Sequence, residues 1–169
     1  LMKENGIHRK KRKKQVPVTT DSRHEFGIAP NLLNRRFSAS APDRIWLADI
    51  TYVPTDEGWL YLAAIKDMAT REIGGWGMDD HLKSTLCESA LRMAILHRNP
   101  PPGLIHHSDR GVQYACNDYR NMLKARRINP SMSRKGDCYD NAPMESFFGS
   151  LKTECVHRTR FARGYPGRC

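Results

Sequence analysis

Three acidic residues occur where carboxylates could act together. Asp49 lies within the apolar and aromatic stretch RIWLADITYVP, Asp109 within HHSDRG, and Glu145 within CYDNAPMESFFGSLKTE. Carboxylate oxygens are ligands that Mg²⁺ and Mn²⁺ prefer. Two such ions about 3.5–4 Å apart can activate an attacking oxygen and stabilise a leaving oxygen at a phosphodiester. The three acids together predict such a site, and their mutual repulsion without metal should raise the pKa of at least one of them.

Each acid taken alone also has a structural interpretation. Asp49 could be paired with a cation or exposed at a sheet edge, and Asp109 could hydrogen-bond the backbone of its own turn. Glu145 could complement the dipole at a helix N-terminus. His106 and His107 precede Asp109, but adjacent strand residues point to opposite faces, so at most one of them could face a site there.

The stretch around Asp49 begins a predicted meander of three strands. RIWLADITYVP is rich in β-branched and aromatic residues, and its alternation places Leu47 and Asp49 on one face and Trp46 and Ala48 on the other. Pro54 should end this strand. WLYLAAIKDM and EIGGWGM follow as the second and third strands, and the glycine pair in the third indicates a bulge or close packing.

Helices and strands alternate after the meander. A helix capped by Ser84 and ending near Asn99 precedes a short strand in GLIHHS, which places Asp109 at that strand's C-terminal end. A helix over 117–127, a short strand in INPSMS and the helix carrying Glu145 complete the order βββαβαβα. This order predicts an α/β fold with a mixed sheet and flanking helices.

The helix carrying Glu145 has an apolar stripe that would anchor it. Asp140 or Asn141 could cap this helix, and Pro143 suits its first turn. The stripe has helical spacing and consists of Met144, Phe147, Phe148, Leu151 and Cys155. Lys152 follows Glu145 by nearly two turns, so the two side chains should share a face.

Positive charge is concentrated at the start of the chain. The 169 residues carry a formal net charge of +10, and a basic arm precedes the predicted strands. The arm contains six consecutive cations, Arg9, Lys10, Lys11, Arg12, Lys13 and Lys14. Because no strongly amphipathic apolar face accompanies it, nucleic acid is favoured as the partner over an anionic membrane. The five cysteines are widely spaced and form no CxxC pair, which argues against a disulfide framework and favours the cytoplasm.

Four stretches together resemble a known family. They are WLADITYVPTDEGWLYLA, DMATREIGGWGM, HSDRGVQYAC and SMSRKGDCYDNAPMESFFGSLKTE. The sequence resembles the catalytic subunit of bacterial insertion-sequence transposases of the IS-three group, which have an integrase-type catalytic core. The resemblance covers about residues 5–161, and the 35 residues between Asp109 and Glu145 match the spacing of the family's acidic triad.

The resemblance implies a ribonuclease-H-like fold and a DNA transposase. Asp49, Asp109 and Glu145 would be the catalytic and metal-binding residues, with two Mg²⁺ or Mn²⁺ ions. The enzyme would cleave DNA at the ends of the element and transfer the freed 3′-OH to target DNA, working as a homo-oligomer. Lys152 would contact DNA, although an ordinary exposed lysine is an equally good interpretation. The resemblance also gives five supporting residues, His107, Ser108, Arg110, Gln113 and Asn141.

The resemblance also divides the chain. It implies a basic arm and linker over 1–43, a catalytic core over 44–161 and a tail over 162–169 that departs from the family pattern. Family members are longer, so we expect a copy truncated at both ends, in the bacterial cytoplasm near the nucleoid. Two alternatives stay open: a ribonuclease-H-type nuclease without strand transfer, and a non-catalytic DNA-binding remnant of a degenerate transposase.

Overall fold

Five strands form one mixed sheet in the order β3-β2-β1-β4-β5. The structure, a computed structural model, describes residues 17, 19–21, 24–135, 138–159 and 161. The strands are β1 (Ile45–Thr55), β2 (Gly58–Asp67), β3 (Ile73–Asp79), β4 (Ile105–Ser108) and β5 (Asn129–Met132). The helices are α1 (Ser84–Arg98), α2 (Val112–Ala115), α3 (Asn117–Ala125) and α4 (Ala142–Leu151). The predicted α/β order is confirmed, with the short α2 as an addition.

β1 lies at the centre of the sheet. It pairs antiparallel with β2 along its length, and parallel with β4 only over Ile45–Leu47. The later part of β1 therefore has a strand on one side only. For this reason Pro54 does not end the strand as predicted: it lies within β1 opposite Trp59, where its missing N–H leaves no ladder partner unpaired on the open side.

The two faces of the sheet are covered by different helices. On one face, Trp46 and Ala48 belong to a core built with residues of α1 and α3. On the other face, Leu47 packs in a core with Met144 and Phe148 of α4. The predicted alternation of β1 is therefore confirmed, and it puts Asp49 on the face that α4 covers. Within the described ranges, no helix has the length and apolarity needed to span a bilayer.

α1 approaches β3 closely because of a glycine. A side-chain carbon at Gly75 would lie 2.3 Å from the carbonyl oxygen of Ala90 in α1. The pairing of β2 with β3 also shifts between Ile65 and Lys66, opposite this glycine pair. Both predicted features, a bulge and close packing, are present. Ser84 does not cap α1: it is the first helical residue, and Lys83 precedes it in an extended conformation.

α4 departs from its predicted stripe at the C-terminal end. A 3₁₀ turn (Cys138–Asn141) leads into the helix, and a π turn (Lys152–Val156) follows it. Because a π turn holds more residues than an α turn, the buried position moves by one residue. Cys155 is therefore exposed, contrary to the prediction, and Val156 is buried. The side chain of Asn141 makes no capping hydrogen bond to α4.

Candidate active site

Asp49 is held inside β1 beside the first turns of α4. Its carboxylate accepts a hydrogen bond of 2.8 Å from the backbone N–H of Ile50. The pKa of Asp49 is raised to about 7, mainly by burial and also by the negative charges of Asp109 and Glu145, whereas that hydrogen bond and the charge of Lys152 act to lower it. The predicted increase in a carboxyl pKa is therefore confirmed at Asp49, with burial as its largest cause.

Asp109 directly follows β4, the parallel neighbour of β1. Leu47 of β1 is paired with His107 of β4. Asp49 and Asp109 each lie two residues after these partners, so the parallel pairing places them side by side. The Asp109 carboxylate accepts hydrogen bonds from the backbone N–H of Gly111 at 2.8 Å and from the Thr20 hydroxyl. Burial raises the pKa of Asp109, and these two hydrogen bonds oppose the increase. Asp109 thus bonds within its own turn while lying beside Asp49.

Glu145 reaches the same region from α4. It lies in the first turn of the helix and is exposed. Its charge nevertheless contributes to the raised pKa of Asp49, so the two carboxylates lie within electrostatic reach of each other. Asn141 donates a 3.4 Å hydrogen bond from Nδ2 to the carbonyl oxygen of Ala48, which connects the start of α4 to the residue preceding Asp49. Its Oδ1 is buried and has no hydrogen-bond partner among the described residues.

The donor set around Asp49 suits a hard divalent cation. Three carboxylates and a buried amide oxygen offer oxygen ligands, and bound positive charge would offset the repulsion that raises the pKa of Asp49. In the described part of the chain, however, the one group of three potential ligands within 4.8 Å of one another is Asp79, Asp80 and His81. At least one separation among the carboxylate oxygens of Asp49, Asp109 and Glu145 therefore exceeds 4.8 Å.

The sequence analysis does not predict the group at Asp79, although Asp79, Asp80 and His81 are contiguous and begin at the last residue of β3. His81 Nε2 lies 3.2 Å from the Asp79 carboxylate. Acidic side chains at a surface commonly cluster without a metal, and the Asp79 carboxylate is already in contact with the His81 ring. The group is separate from the acids on β1 and β4.

Lys152 lies beside the acids, in the first position of the π turn. Its ammonium group lies 4.2 Å from the centre of the Tyr52 ring, a cation–π contact. Burial lowers the pKa of Lys152, whereas the negative charge of Asp49 acts to raise it. The predicted shared face with Glu145 thus places a cation at the acidic site. The basic arm, Arg9 to Lys14, and the tail over 162–169 lie outside the described residues.

The two histidines before Asp109 are buried on opposite faces of β4. His106 Nε2 lies 2.9 Å from the Tyr119 hydroxyl, on the side of α3. His107 contacts the Ser131 hydroxyl at 2.8 Å and the backbone oxygen of Asp140 at 2.9 Å, on the side of α4. Burial lowers the pKa of both imidazoles, so both are neutral near pH 7. Each histidine has its hydrogen bonds within the protein, which assigns them to structure.

Hydrogen bonds from the other predicted supporting residues hold the segment around Asp109 in place. The Ser108 hydroxyl donates to the backbone oxygen of Asp109 at 3.0 Å. Arg110 Nε donates to the carbonyl oxygen of Ser133 at 2.6 Å, and Gln113 Nε2 donates to that of Leu82 at 3.0 Å. These bonds fix the loop to β5 and to the start of α1.

Asp140 has a larger role than the helix cap that the sequence suggested. Its side chain is fully buried and accepts hydrogen bonds from Arg134, Arg35 and Asn31. Arg134 holds the pKa of Asp140 well below its usual range. Asp140 therefore joins the segment before β1, the loop after β5 and the start of α4. The signal in the sequence was the pair of opposite charges, Arg134 and Asp140, flanking a short turn.

Comparison with known proteins decides the family. Residues 39–138 match the family described as Integrase core domain. The chain belongs to the integrase core family. It is 52% identical over 151 residues to the insertion element IS600 31 kDa protein of Shigella sonnei, covering 89% of this chain and 56% of that protein. It is 44% identical over 160 residues to transposase InsF of insertion sequence IS3A from Escherichia coli K12, covering 95% of this chain and 55% of InsF.

Solved integrase structures share the fold of this integrase core. The HTLV-2 integrase catalytic core domain, described in complex with magnesium, superposes with a TM-score of 0.57 at 18% identity, covering 69% of this chain and 72% of that one. A chain from the simian T-cell lymphotropic virus intasome in complex with PP2A regulatory subunit B56 gamma gives a TM-score of 0.63 at 19% identity, covering 80% of this chain and 46% of that one. The predicted ribonuclease-H-like fold and the resemblance to insertion-sequence transposases are confirmed. The chain spans just over half the length of these curated relatives.

Proposed function

We propose that this chain carries the catalytic core of a transposase that cleaves DNA at insertion-sequence ends and transfers the cleaved strand to target DNA. One arrangement supports the proposal: Asp109 directly follows β4, the parallel neighbour of the strand that holds Asp49, and a hydrogen bond from Asn141 to Ala48 connects the start of the Glu145 helix to that strand. The charges of Asp109 and Glu145 contribute, after burial, to the raised pKa of Asp49. The similarity to InsF transposases supports the same reaction class.

We infer that Asp49, Asp109 and Glu145 hold Mg²⁺ or Mn²⁺, with two ions expected. When bound, such ions lower the pKa of an attacking hydroxyl and stabilise charge on the phosphodiester. The HTLV-2 integrase core is described with magnesium, and the ligands offered here are oxygens, which this metal prefers.

We assign separate roles to the acids, to Lys152 and to the supporting residues. Asp49 and Asp109 lie on adjacent strands, so the sheet fixes their separation, whereas exposed Glu145 comes from a separate helix. Lys152 lies beside Asp49 with the Tyr52 ring under its ammonium group, and we assign it to a phosphate of the bound DNA. His107, Ser108, Arg110, Gln113 and Asn141 have supporting roles.

We propose the same division of the chain as the sequence suggested. The core would extend over 44–161, with Arg9 to Lys14 of the preceding arm binding the DNA backbone and 162–169 as an aberrant tail. A homo-oligomer on DNA would carry out the reaction in the bacterial cytoplasm. The HTLV-2 core, for comparison, is described in dimeric and trimeric forms.

A strand-transfer assay tests this function. Labelled DNA carrying the ends of IS600 or IS3 is incubated with target DNA and Mg²⁺, and both cleaved and joined products are measured. We expect both products from the unmutated chain and neither from Asp49→Asn, Asp109→Asn or Glu145→Gln. Glu154→Gln is the matched control, because Glu154 is an exposed acid in the adjoining π turn. Its products should equal those of the unmutated chain.

The possible failures have different meanings. Cleavage without joined product would indicate a nuclease, whereas DNA retention without cleavage from the unmutated chain would indicate a binding remnant.

Asp80→Asn tests the second acidic group near β3. Loss of both products in that variant, with activity kept in Asp49→Asn, would move the metal site to Asp79, Asp80 and His81.

A further inference from the structure

A groove lies between α3 and the edge strand β5. It has a volume of about 620 Å³. One wall is a single face of α3 and the turn after it, formed by Asn117, Arg120, Asn121, Lys124 and Arg127. The other wall is Ile128, Asn129 and Pro130, where β5 begins. The helical spacing of the first set makes one continuous stripe of cations and amides.

Every charged residue that lines the groove is a cation. Arg120, Lys124 and Arg127 are exposed, and no acidic residue lines the groove. Within the part of the chain that the structure describes, none of the three takes part in a salt bridge. Arg98, by contrast, is paired with Asp43 and Glu72. The groove therefore keeps cations that the fold itself does not neutralise.

The groove leads away from the acidic site. α3 begins eight residues after Asp109, and the carbonyl oxygen of Arg127, beyond its other end, accepts a hydrogen bond from the N–H of Gly103, just before β4. Asn129 is paired with Ile105, four residues before Asp109, which corresponds to about 13 Å along the strand. The stripe from Asn117 to Arg127 rises about 15 Å along the helix axis. It runs along the sheet edge from the catalytic end to the opposite end.

We propose that this groove binds the phosphate backbone of duplex DNA that extends beyond the acidic site, an inference that rests on the proposed function. Arginine, lysine and asparagine are among the side chains that contact phosphate oxygens, and such contacts carry no sequence information. A length of about 15 Å matches roughly four successive phosphates of one strand. The groove would hold the duplex independently of its sequence and would leave the chemistry to the acids.

The salt dependence of DNA binding tests this proposal. Binding of a random-sequence duplex is measured at several salt concentrations with chelator present, so that cleavage plays no part. We expect the log–log slope to become shallower by about 1.8 in Arg120→Gln/Lys124→Gln, since each lost phosphate contact removes about 0.9. The matched control, Arg71→Gln/Arg92→Gln, removes two exposed cations elsewhere and should leave the slope unchanged.

Further variants make the result specific. Lys124→Arg should keep the original slope, and Lys124→Gln alone should give half the effect. An unchanged slope in the double variant, an equal change in the control, or a change seen with single-stranded nucleic acid and not with duplex would each overturn the proposal. Cleavage of saturating DNA at low salt with Mg²⁺ should persist in the double variant. If the unmutated chain does not cleave, the proposed function fails, while the slopes still decide whether the groove binds duplex.

Discussion

At the scale of single residues, ionised Asp49 destabilises the folded protein, and the other interactions of the fold must offset this loss of stability. Asp49 is placed within a strand whose neighbours are buried, and its pKa of about 7 means that ionisation is unfavourable there without a bound cation. Asp140 is more deeply buried than the half-buried Asp49, but Arg134 favours its ionised form. One carboxylate therefore opposes folding at neutral pH, and the other supports it.

The raised pKa of Asp49 predicts a pH dependence of stability in the metal-free chain. The folded pKa, about 7, exceeds the unfolded value of 3.8. Between these values the folded state binds more protons, so stability falls as pH rises from about 4 to 7. Asp49→Asn should remove this loss and raise the melting temperature at pH 8 by several degrees, with little change near pH 4. Circular dichroism melts with chelator measure the melting temperatures of both proteins at pH 4 and pH 8. An equal shift at both pH values would contradict the assignment of this pH dependence to Asp49.

Removing the Asp140 carboxylate should destabilise the fold. Asp140→Asn leaves Arg134 and Arg35 without their buried anionic partner, and we expect a loss of about 2–4 kcal/mol in the free energy of unfolding by urea. Asp118→Asn, an exposed acid in the first turn of α3, is the control and should change stability by less than about 0.5 kcal/mol. Equal effects of the two substitutions would show that the Asp140 hydrogen bonds add nothing.

At the scale of elements, the sequence predicts what local periodicity determines. The alternation of β1 and the stripe of α4 were readable because burial repeats every two residues in a strand and every three or four in a helix. The extent of β1 through Pro54 was not, since it depends on β4 pairing with only three of its residues. The role of Asp140 was also hidden, because its partners Asn31 and Arg35 lie more than 100 residues away in sequence. The proximity of Asp49 to Asp109 likewise depends on a parallel pairing that no local pattern encodes.

The π turn after α4 gives a test at this scale. Val156 is buried in a small cluster with Val53 and Leu60, whereas the preceding Cys155 is exposed. Val156→Ala should therefore lower the free energy of unfolding by about 1–3 kcal/mol. Cys155→Ala should leave it nearly unchanged. If the helix instead continued as a regular α-helix, the order of the two effects would be reversed in chemical denaturation.

At the scale of the whole molecule, the acidic site connects elements that share one core, in which Leu47 of β1 packs with Met144 of α4 and with Ile105 of β4. β1 takes part in the cores on both faces of the sheet, and α4 belongs to only one of them. A cation bound by Asp49, Asp109 and Glu145 would link β1, the end of β4 and α4. Metal binding should therefore stabilise the complete fold as well as the site.

This linkage can be measured without any DNA. At a Mg²⁺ concentration ten times its dissociation constant, the free energy of unfolding should increase by about 1.4 kcal/mol. The increase should vanish in Asp109→Asn and persist in Asp80→Asn, whose side chain belongs to the other acidic group. Thermal melts with and without Mg²⁺ provide the readout. Stabilisation that survives in Asp109→Asn but not in Asp80→Asn would place the ion near β3.

The contact between Thr20 and Asp109 has a consequence for the basic arm. The Thr20 hydroxyl bonds the Asp109 carboxylate, and the carbonyl oxygen of Asp21 accepts a hydrogen bond from the N–H of Val112. The chain is thereby tethered at the acidic end of the sheet. Lys14 lies six residues earlier, so a fully extended chain could carry it no farther than about 22 Å from Thr20. DNA bound to the arm would therefore be held close to the three acids, and the effective concentration of the acids at that DNA would be high.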